Sequence, residues 1–171
     1  LVNSLGSAGT RVRYRDALKA HLLPRKSQLS EHAQKRLEDN PLRILDSKNP
    51  IDVEAVAGAP SILDLLDPED VAHFDGLKRA LGALGTPFEV APGLVRGLDY
   101  YTRTLFEIQS SAGEMGAQNA LLGGGRYDGM VRELGGPDVP AVGFAMGLER
   151  MLLAMPARPP APADRCFLAP L

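Results

Sequence analysis

The sequence predicts an α+β fold: a mostly helical first half, then an antiparallel β-sheet core flanked by helices. Three observations carry this reading. Up to Gly85 the apolar residues recur at helical spacing. After it, runs rich in β-branched and aromatic residues are separated by glycine-rich turns. The strand runs follow one another closely enough to pair by short returns, which gives antiparallel neighbours.

In the first half, "GTRVRYRDALKAHLL" is a helix, with Tyr14, Leu18 and Leu22 at i, i+4, i+8 and arginines on the other faces. "SEHAQKRLEDNP" is a short polar helix stopped by Pro41. "NPLRILDSKNP" carries Asn-Pro at both ends, and these favour turns. "SILDLL" is a short helix or helical turn. Asp67 is placed as an N-cap, with Pro68 at the first helical position and Glu69 and Asp70 at the positive end of the dipole. Val71, Phe74, Leu77, Leu81 and Leu84 form one apolar stripe, and Gly85 closes the helix.

In the second half, "TPFEVA" is a short strand before the Pro92-Gly93 turn. "YYTRTLFEIQS" is a strand and "AQNALL" its antiparallel return. "GGGRYDG" follows, then a short helix near "YDGMVREL" and a final helix "AVGFAMGLERMLLAM". "PARPPAPA" reads as a stiff linker. "LVNSLGS" reads as the exit of a strand and "RCFLAPL" as the start of one, so both ends are expected to be cuts in a longer polypeptide.

Composition narrows the class. The 171 residues are 44% hydrophobic and 23% charged, the balance of a globular chain of one domain with an appendage. No apolar run approaches the roughly 20 residues a membrane span needs, and no signal-peptide pattern opens the chain. The single cysteine, Cys166, cannot form an internal disulfide, so a cytoplasmic setting is expected. The net charge of -2 argues against a general nucleic-acid coat, but its distribution is uneven. Residues 1–48 hold 10 Lys+Arg against 5 Asp+Glu, whereas residues 49–75 hold 7 acids and no Lys or Arg. Such blocks fit either solvated helix faces or separate surfaces with separate partners. The three histidines form no metal-ligand pattern, and no resident metal is expected.

Three constellations carry chemistry. In "GLVRGLDYYTRTLFEI", Arg96 precedes a strand and two adjacent tyrosines, Tyr100 and Tyr101, in a chain with 5% aromatics and no tryptophan. Strand alternation puts the two tyrosines on opposite faces. A guanidinium there suits a carboxylate or phosphate, and a turn ion pair with Asp99 is the structural alternative. In "GGGRYDG" the glycines serve either a strand-to-helix turn or a backbone that approaches a ligand; the spacing is that of neither a Walker loop nor a dinucleotide fingerprint. In the last segment, read as one helix, Phe144, Leu148, Met151, Leu152 and Met155 share the core face. Gly143, Gly147, Arg150 and Ala154 share another. Each internal glycine costs about 1 kcal/mol relative to alanine. The strip therefore serves close packing, or a flat ligand ending at an arginine that can grip phosphate or stack on a base.

Taken together, "LVRGLDYYTRTLFE", "GGGRYDGMV" and "AVGFAMGLERML" resemble the signature strings of the histidyl-tRNA synthetase family. The first two are similar to its histidine-specific motifs and the third to motif 3 of class II aminoacyl-tRNA synthetases. "NPLRILDSKNP" resembles part of the family's helical insertion. The resemblance implies part of a class II synthetase core: residues 1–6 the end of a core strand, 7–85 a helical insertion, 86–155 the core with its motifs, and 156–171 a linker and the start of an anticodon-binding domain. It implies a homodimeric parent that activates histidine with ATP and Mg²⁺ to histidyl-adenylate and passes the histidyl group to tRNA(His).

By the same resemblance Arg96 serves the α-phosphate and the carboxylate. Tyr100, Tyr101 and Tyr127 line the histidine pocket, and Arg150, Gly143 and Gly147 hold ATP. The basic residues Arg11, Arg13, Arg15, Lys19, Arg25 and Lys26 are candidates for tRNA phosphates. No strings resembling motifs 1 and 2 are present, so the chain alone is expected to be inactive. The alternatives are the histidine-sensing regulatory subunit of ATP phosphoribosyltransferase and a synthetase-like sensor domain within a kinase. The presence of both arginines and of the histidine-specific strings weighs against each.

Overall fold

Ser7 starts the first long helix by accepting a hydrogen bond from the Thr10 amide, just after a short strand has delivered the chain to that point. The computed structural model describes residues 1–95, 100–110 and 119–155. Strand β1 is Val2–Ser4 and helix α1 is Ala8–Leu22. A 3-10 turn, Leu23–Gln28, leads to α2, Glu31–Asp39, capped by Ser30. A second 3-10 turn, Pro41–Ile44, precedes α3, Pro50–Val56. A third, Ile62–Leu65, precedes α4, Pro68–Ala83. The sheet is completed by β2, Thr102–Gln109, and β3, Ala120–Arg126. Short α5, Met130–Glu133, is followed by β4, Val142–Met146, and α6, Leu148–Ala154.

The four strands lie in the order β1-β2-β3-β4, every neighbour antiparallel. The predicted α+β class and antiparallel sheet are observed. The helical half packs as its pattern requires: Tyr14, Leu18 and Leu22 are buried together with Leu29, Ala33, Leu37, Ile44, Ala55 and Ile62. Leu5, Tyr101 and Leu105 join this cluster, so the helices and the sheet share one core. Each such fully buried aliphatic side chain contributes about 1.5–3 kcal/mol. Burial also pushes the Tyr14 hydroxyl up to about 12, so it stays protonated.

Several elements differ from expectation for identifiable reasons. The segment from Ala141 to Met155 is not one helix: Val142–Met146 is a strand, and Gly147 turns the chain into α6. "VGFAM" alternates large and small residues, and β3 offers it an edge. The expected core face of a single helix is therefore lost, and Phe144, Leu148 and Leu152 are exposed. Glycines 123–125 are likewise strand residues, not a turn.

"TPFEVA" forms no strand, only an isolated parallel bridge between Val90 and Val2. Pro87 and Pro92 lack the amides a longer ladder would need. The Asn49-Pro50 pair, which favours a turn, here opens helix α3: Asn49 accepts from the Ile51 amide and Pro50 sits at the first helical position. Asp67 occupies the cap position of α4 without making a capping bond, because its carboxylate takes Arg13 at 2.7 Å and the Ser7 hydroxyl at 3.3 Å. The α4 stripe is buried at Phe74 but exposed at Val71 and Leu84. Its closure is as expected: Gly85 has φ +64, the Gly85 amide bonds Gly82 and the Thr86 amide bonds Leu81.

Two buried carboxylates tie the pieces together. Asp52 accepts from the Ser30 amide and from the Ser30 and Ser47 hydroxyls, which ties α3 to the start of α2. Burial would raise its pKa, but these bonds outweigh that and hold it below the ordinary value. Asp70 on α4 accepts from the Ser7 amide at 2.7 Å and from Arg103 Nε at 2.8 Å. Arg103 sits at φ 51, inside the register shift of the β2–β3 ladder between Thr102 and Leu105. Its hydrogen bonds to Glu69 and Asp70 hold it there and raise the guanidinium pKa.

Candidate active site

Strand register sets the two faces of the sheet. Gly125 lies opposite Leu105 on one side and Gly143 on the other, and two residues along β3, Gly123 lies opposite Glu107 and Ala145. Alternation puts all of these on one face. Its β3–β4 part is a floor of glycines and one alanine, and aromatic rings lie on part of it. A Cβ added to Gly125 would come within 2.8 Å of Tyr101 Cδ1, and one added to Gly143 would collide with the Tyr127 hydroxyl. Only hydrogen fits at these two positions.

The rings belong to a cluster of three. Tyr100 and Tyr101 have centroids 4.6 Å apart, Tyr100 and Tyr127 5.6 Å, and Tyr101 and Tyr127 6.2 Å, the last two edge to face. Tyr100 and Tyr101 do not alternate across the sheet as expected, because they precede β2 rather than lie in it. Tyr101 is buried and Tyr100 half-buried. The Tyr127 amide bonds the Ala141 carbonyl, which fixes the third ring beside β4.

A cleft of about 310 Å³ opens further along the same strands, lined by Leu121, Gly123, Ala145, Gly147 and Arg150 among others. Two residues of strand rise, about 7 Å, separate its floor from the glycines under the tyrosines. Arg150 Nη1 donates to the Ala120 carbonyl at 3.0 Å, so the guanidinium is held at the cleft wall. Gly143 and Gly147 thus divide: Gly143 serves the tyrosines and Gly147 lines the Arg150 cleft. Arg96 lies outside the described residues.

The segments around Arg96 are anchored by residues that the sequence reading either missed or placed elsewhere. Asn3, fully buried on β1, donates from Nδ2 to the carbonyls of Pro92 and Leu94, each at 3.0 Å. Its Oδ1 is buried without a partner among the described residues. The signal available in sequence was a polar pair, Asn3 and Ser4, set between apolar Leu1-Val2 and Leu5. Glu107 was not singled out either; it faces Gly123 on the site side and accepts from Gln109 Nε2 at 2.7 Å.

The six basic candidates on the insertion do not form one open stripe. Arg11 turns inward and donates to the Tyr101 carbonyl at 2.9 Å. Arg13 bonds Asp67 and the Leu65 carbonyl. Lys19 and Lys26 both reach Glu38, and Arg25 meets the His21 ring. Arg15 is exposed.

A family model described as histidyl-tRNA synthetase matches residues 8–151, which include the tyrosine cluster, the glycine floor and Arg150. The chain belongs to the histidyl-tRNA synthetase family. It is 64% identical over 170 residues to the histidine–tRNA ligase of Sorangium cellulosum (strain So ce56), covering 99% of this chain and 40% of that protein. It is 56% identical over 169 residues to the histidine–tRNA ligase of Synechocystis sp. (strain ATCC 27184 / PCC 6803 / Kazusa), covering 98% and 37%. Among solved structures it is similar to apo S. aureus histidyl-tRNA synthetase, with a TM-score of 0.64 and 39% identity over 90% of this chain and 36% of that one. The chain spans about two fifths of the length of the curated relatives it matches. The family likeness makes the antiparallel sheet part of a class II synthetase core.

The back of the sheet has a different character. A cavity of about 590 Å³ lies between α4 and the sheet, lined by His73, Leu77, Ala80, Phe106, Arg126 and Val142 among others. Arg126 pairs with Asp128 through Nε at 2.6 Å. Among the described residues no cluster of three His, Cys, Asp or Glu side chains is placed to hold a metal, and no helix is long and apolar enough to cross a membrane.

Proposed function

We propose that the polypeptide carrying this chain is a histidine–tRNA ligase. It activates histidine with ATP to histidyl-adenylate and transfers the histidyl group to the 3′ end of tRNA(His). The observation that carries this reading is the side-by-side placement on one sheet face of a three-tyrosine cluster over Gly125 and Gly143 and an arginine-walled cleft over Gly123 and Ala145. One suits a small amino acid with a polar aromatic side chain; the other suits a nucleotide. The names of the two relatives support the same assignment.

In the first step a histidine carboxylate oxygen attacks the α-phosphorus of ATP and pyrophosphate leaves. In the second, a hydroxyl of the terminal tRNA ribose attacks the histidyl carbonyl and AMP leaves. Both partners of the first step are anions. Their approach needs fixed positive charge and exact positioning more than proton chemistry. Arg96 is assigned that charge, between carboxylate and α-phosphate. Tyr100, Tyr101 and Tyr127 hold the imidazole end, and Arg150 holds the ATP phosphates or base with Gly147 beside it. The Mg²⁺ that accompanies ATP neutralises phosphate charge when bound.

Residues 1–6 and 86–155 are assigned to the catalytic core, 7–85 to the insertion, and 156–171, which lie outside the described residues, to a linker and the start of an anticodon-binding domain. The parent is assigned as a cytoplasmic homodimer. The chain alone, without strings resembling motifs 1 and 2, is proposed to make no adenylate. Exposed Phe144 and Val142 on the back of β4 fit a sheet that further chain would cover. The remaining basic candidates on the insertion, Arg13, Arg15, Lys19, Arg25 and Lys26, are assigned to the tRNA side.

The test is histidine-dependent ATP–pyrophosphate exchange by the complete polypeptide and by its Arg96→Ala variant. Exchange with a large kcat loss in the variant is expected. Histidine binding without any exchange would instead favour the regulatory-subunit reading.

A further inference from the structure

The geometry points to Arg11, in the first helix of the insertion and outside every recognised motif, as a positioning residue for the tyrosine pocket. The inference rests on the proposed ligase reading and deepens it. Arg11 comes from a basic block that sequence alone assigns to an outer surface. Its Nη1 instead crosses to the sheet and donates to the main-chain carbonyl of Tyr101, 90 residues away, at 2.9 Å. That carbonyl belongs to the residue whose ring touches both Tyr100 and Tyr127.

The contact is part of a series. Tyr101 is held through its carbonyl by α1. The Thr102 hydroxyl accepts from the Asp128 amide at 3.2 Å, which ties it to the turn after β3. Arg103 is held by Asp70 and Glu69 of α4, while its own amide donates to the Gly6 carbonyl at 3.0 Å. Three successive residues at the entrance to β2 are thus pinned to three different elements. The preceding flank is pinned as well, by Asn3 through the Pro92 and Leu94 carbonyls.

Of these pins, Arg11 is the one that reaches a tyrosine of the pocket directly. Its anchor is rigid: α1 begins at Ser7, whose amide is fixed by buried Asp70, and its next turns are locked by buried Tyr14 and Leu18. A planar guanidinium on a fixed helix sets the height of the Tyr101 backbone above Gly125, where a ring atom already sits at the limit that only glycine allows. Losing the bond lets the Tyr101 backbone move and tilts the ring over the floor. Arg11 touches no reacting atom in this scheme, so its effect falls on histidine and spares ATP.

The experiment uses the complete polypeptide and compares wild type, Arg11→Met, Arg11→Lys and Asp52→Asn. Asp52→Asn serves as a control that weakens the insertion without touching the tyrosines. Pyrophosphate exchange gives KM for histidine and for ATP, calorimetry gives histidine affinity, and thermal unfolding gives Tm. Expected for Arg11→Met is a roughly tenfold rise in KM and Kd for histidine with KM for ATP changed by less than about twofold. Arg11→Lys should recover part of the histidine affinity. Asp52→Asn should lower Tm and leave histidine affinity unchanged.

A fall in Tm with histidine affinity intact in Arg11→Met, or equal losses for histidine and ATP, overturns the assignment. If Arg11→Met does not fold, Arg11→Lys decides by the same split. A wild type that binds histidine without exchange sinks the ligase reading, and the calorimetric ratio then decides Arg11 by itself. A wild type that binds no histidine overturns both.

Discussion

Gly143 on β4 lies directly beneath the hydroxyl of Tyr127, close enough that a methyl group in place of its hydrogen would overlap the phenol. The pairing of Gly143 with Gly125 across the ladder explains why. Together they lower the sheet surface so that the rings of Tyr101 and Tyr127 settle onto it. Gly143→Ala must lift Tyr127 or push β4 away, and β4, which among the described residues pairs only with β3, is the softer partner. A misplacement of about 1 Å in a positioning group costs up to about 100-fold in rate. The expected outcome for the complete polypeptide is a roughly tenfold or greater loss in kcat/KM for histidine in pyrophosphate exchange, with Tm nearly retained. Unchanged histidine kinetics would remove Tyr127 from the pocket.

Arg150 carries a complementary prediction, on the side proposed for the nucleotide. Its guanidinium is fixed through Ala120 and stands at the wall of the cleft beside Gly147. Lysine can supply charge there but not a planar fork. Arg150→Lys is expected to raise KM for ATP roughly tenfold, the scale of one charge-assisted hydrogen bond of about 1.5 kcal/mol, and to leave histidine affinity within about twofold. A shift confined to histidine would show that the two subsites have been assigned the wrong way round.

The two glycines Gly143 and Gly147 mark where sequence reading succeeded and failed. Their importance was legible, because glycines inside a regular element call for a reason. Their geometry was not, since "AVGFAMGLERMLLAM" fits a helical wheel and a strand followed by a helix almost equally well. The choice was made by β3, which needed a partner that sequence spacing does not reveal. The α1 core was legible because Tyr14, Leu18 and Leu22 have no competing period. The inward turn of Arg11 was not, because a basic residue on a helix looks the same from sequence whether it faces phosphate or a carbonyl 90 residues away. The tyrosine cluster was legible by residue but not by arrangement: Tyr100 and Tyr101 lie ahead of β2, where strand alternation does not apply.

Asp52 provides an acid-sensitive joint in the helical half. Its carboxylate is buried and takes three hydrogen bonds from Ser30 and Ser47, and these hold its pKa below the unfolded value of about 3.9. A depressed folded pKa means the unfolded state takes up the proton first. The stabilisation is therefore complete above about pH 4 and is lost as pH falls toward the folded value. Asp52→Asn should cost about 1–3 kcal/mol at neutral pH, since the amide cannot accept all three bonds. It should also flatten the acid limb of the stability profile, below about pH 4. Urea midpoints along that limb check both, and a parallel fall in variant and wild type would assign the acid sensitivity elsewhere.

His73, on the back of the sheet, supplies the pH dependence nearer neutrality. Burial is the first cause lowering its pKa, followed by the positive charges of Arg126 and Arg103, while Asp70 and Asp128 pull the other way. Arg126 Nη1 lies 3.4 Å from Nε2. A guanidinium can only donate, so Nε2 accepts and the proton belongs on Nδ1. A second proton would break that bond beside two cations. The unfolded histidine titrates near about 6.5, above the folded value, so the unfolded state again protonates first. Stability is full above about pH 6.5 and declines as pH falls below it toward the folded pKa. His73→Gln should remove most of that slope. Urea midpoints at about pH 7.5 and pH 5.5 make the comparison: the wild type is expected to lose stability over the interval and the variant to lose distinctly less. Equal losses would mean that His73 accepts its second proton without cost and that the Arg126 contact does not hold in solution.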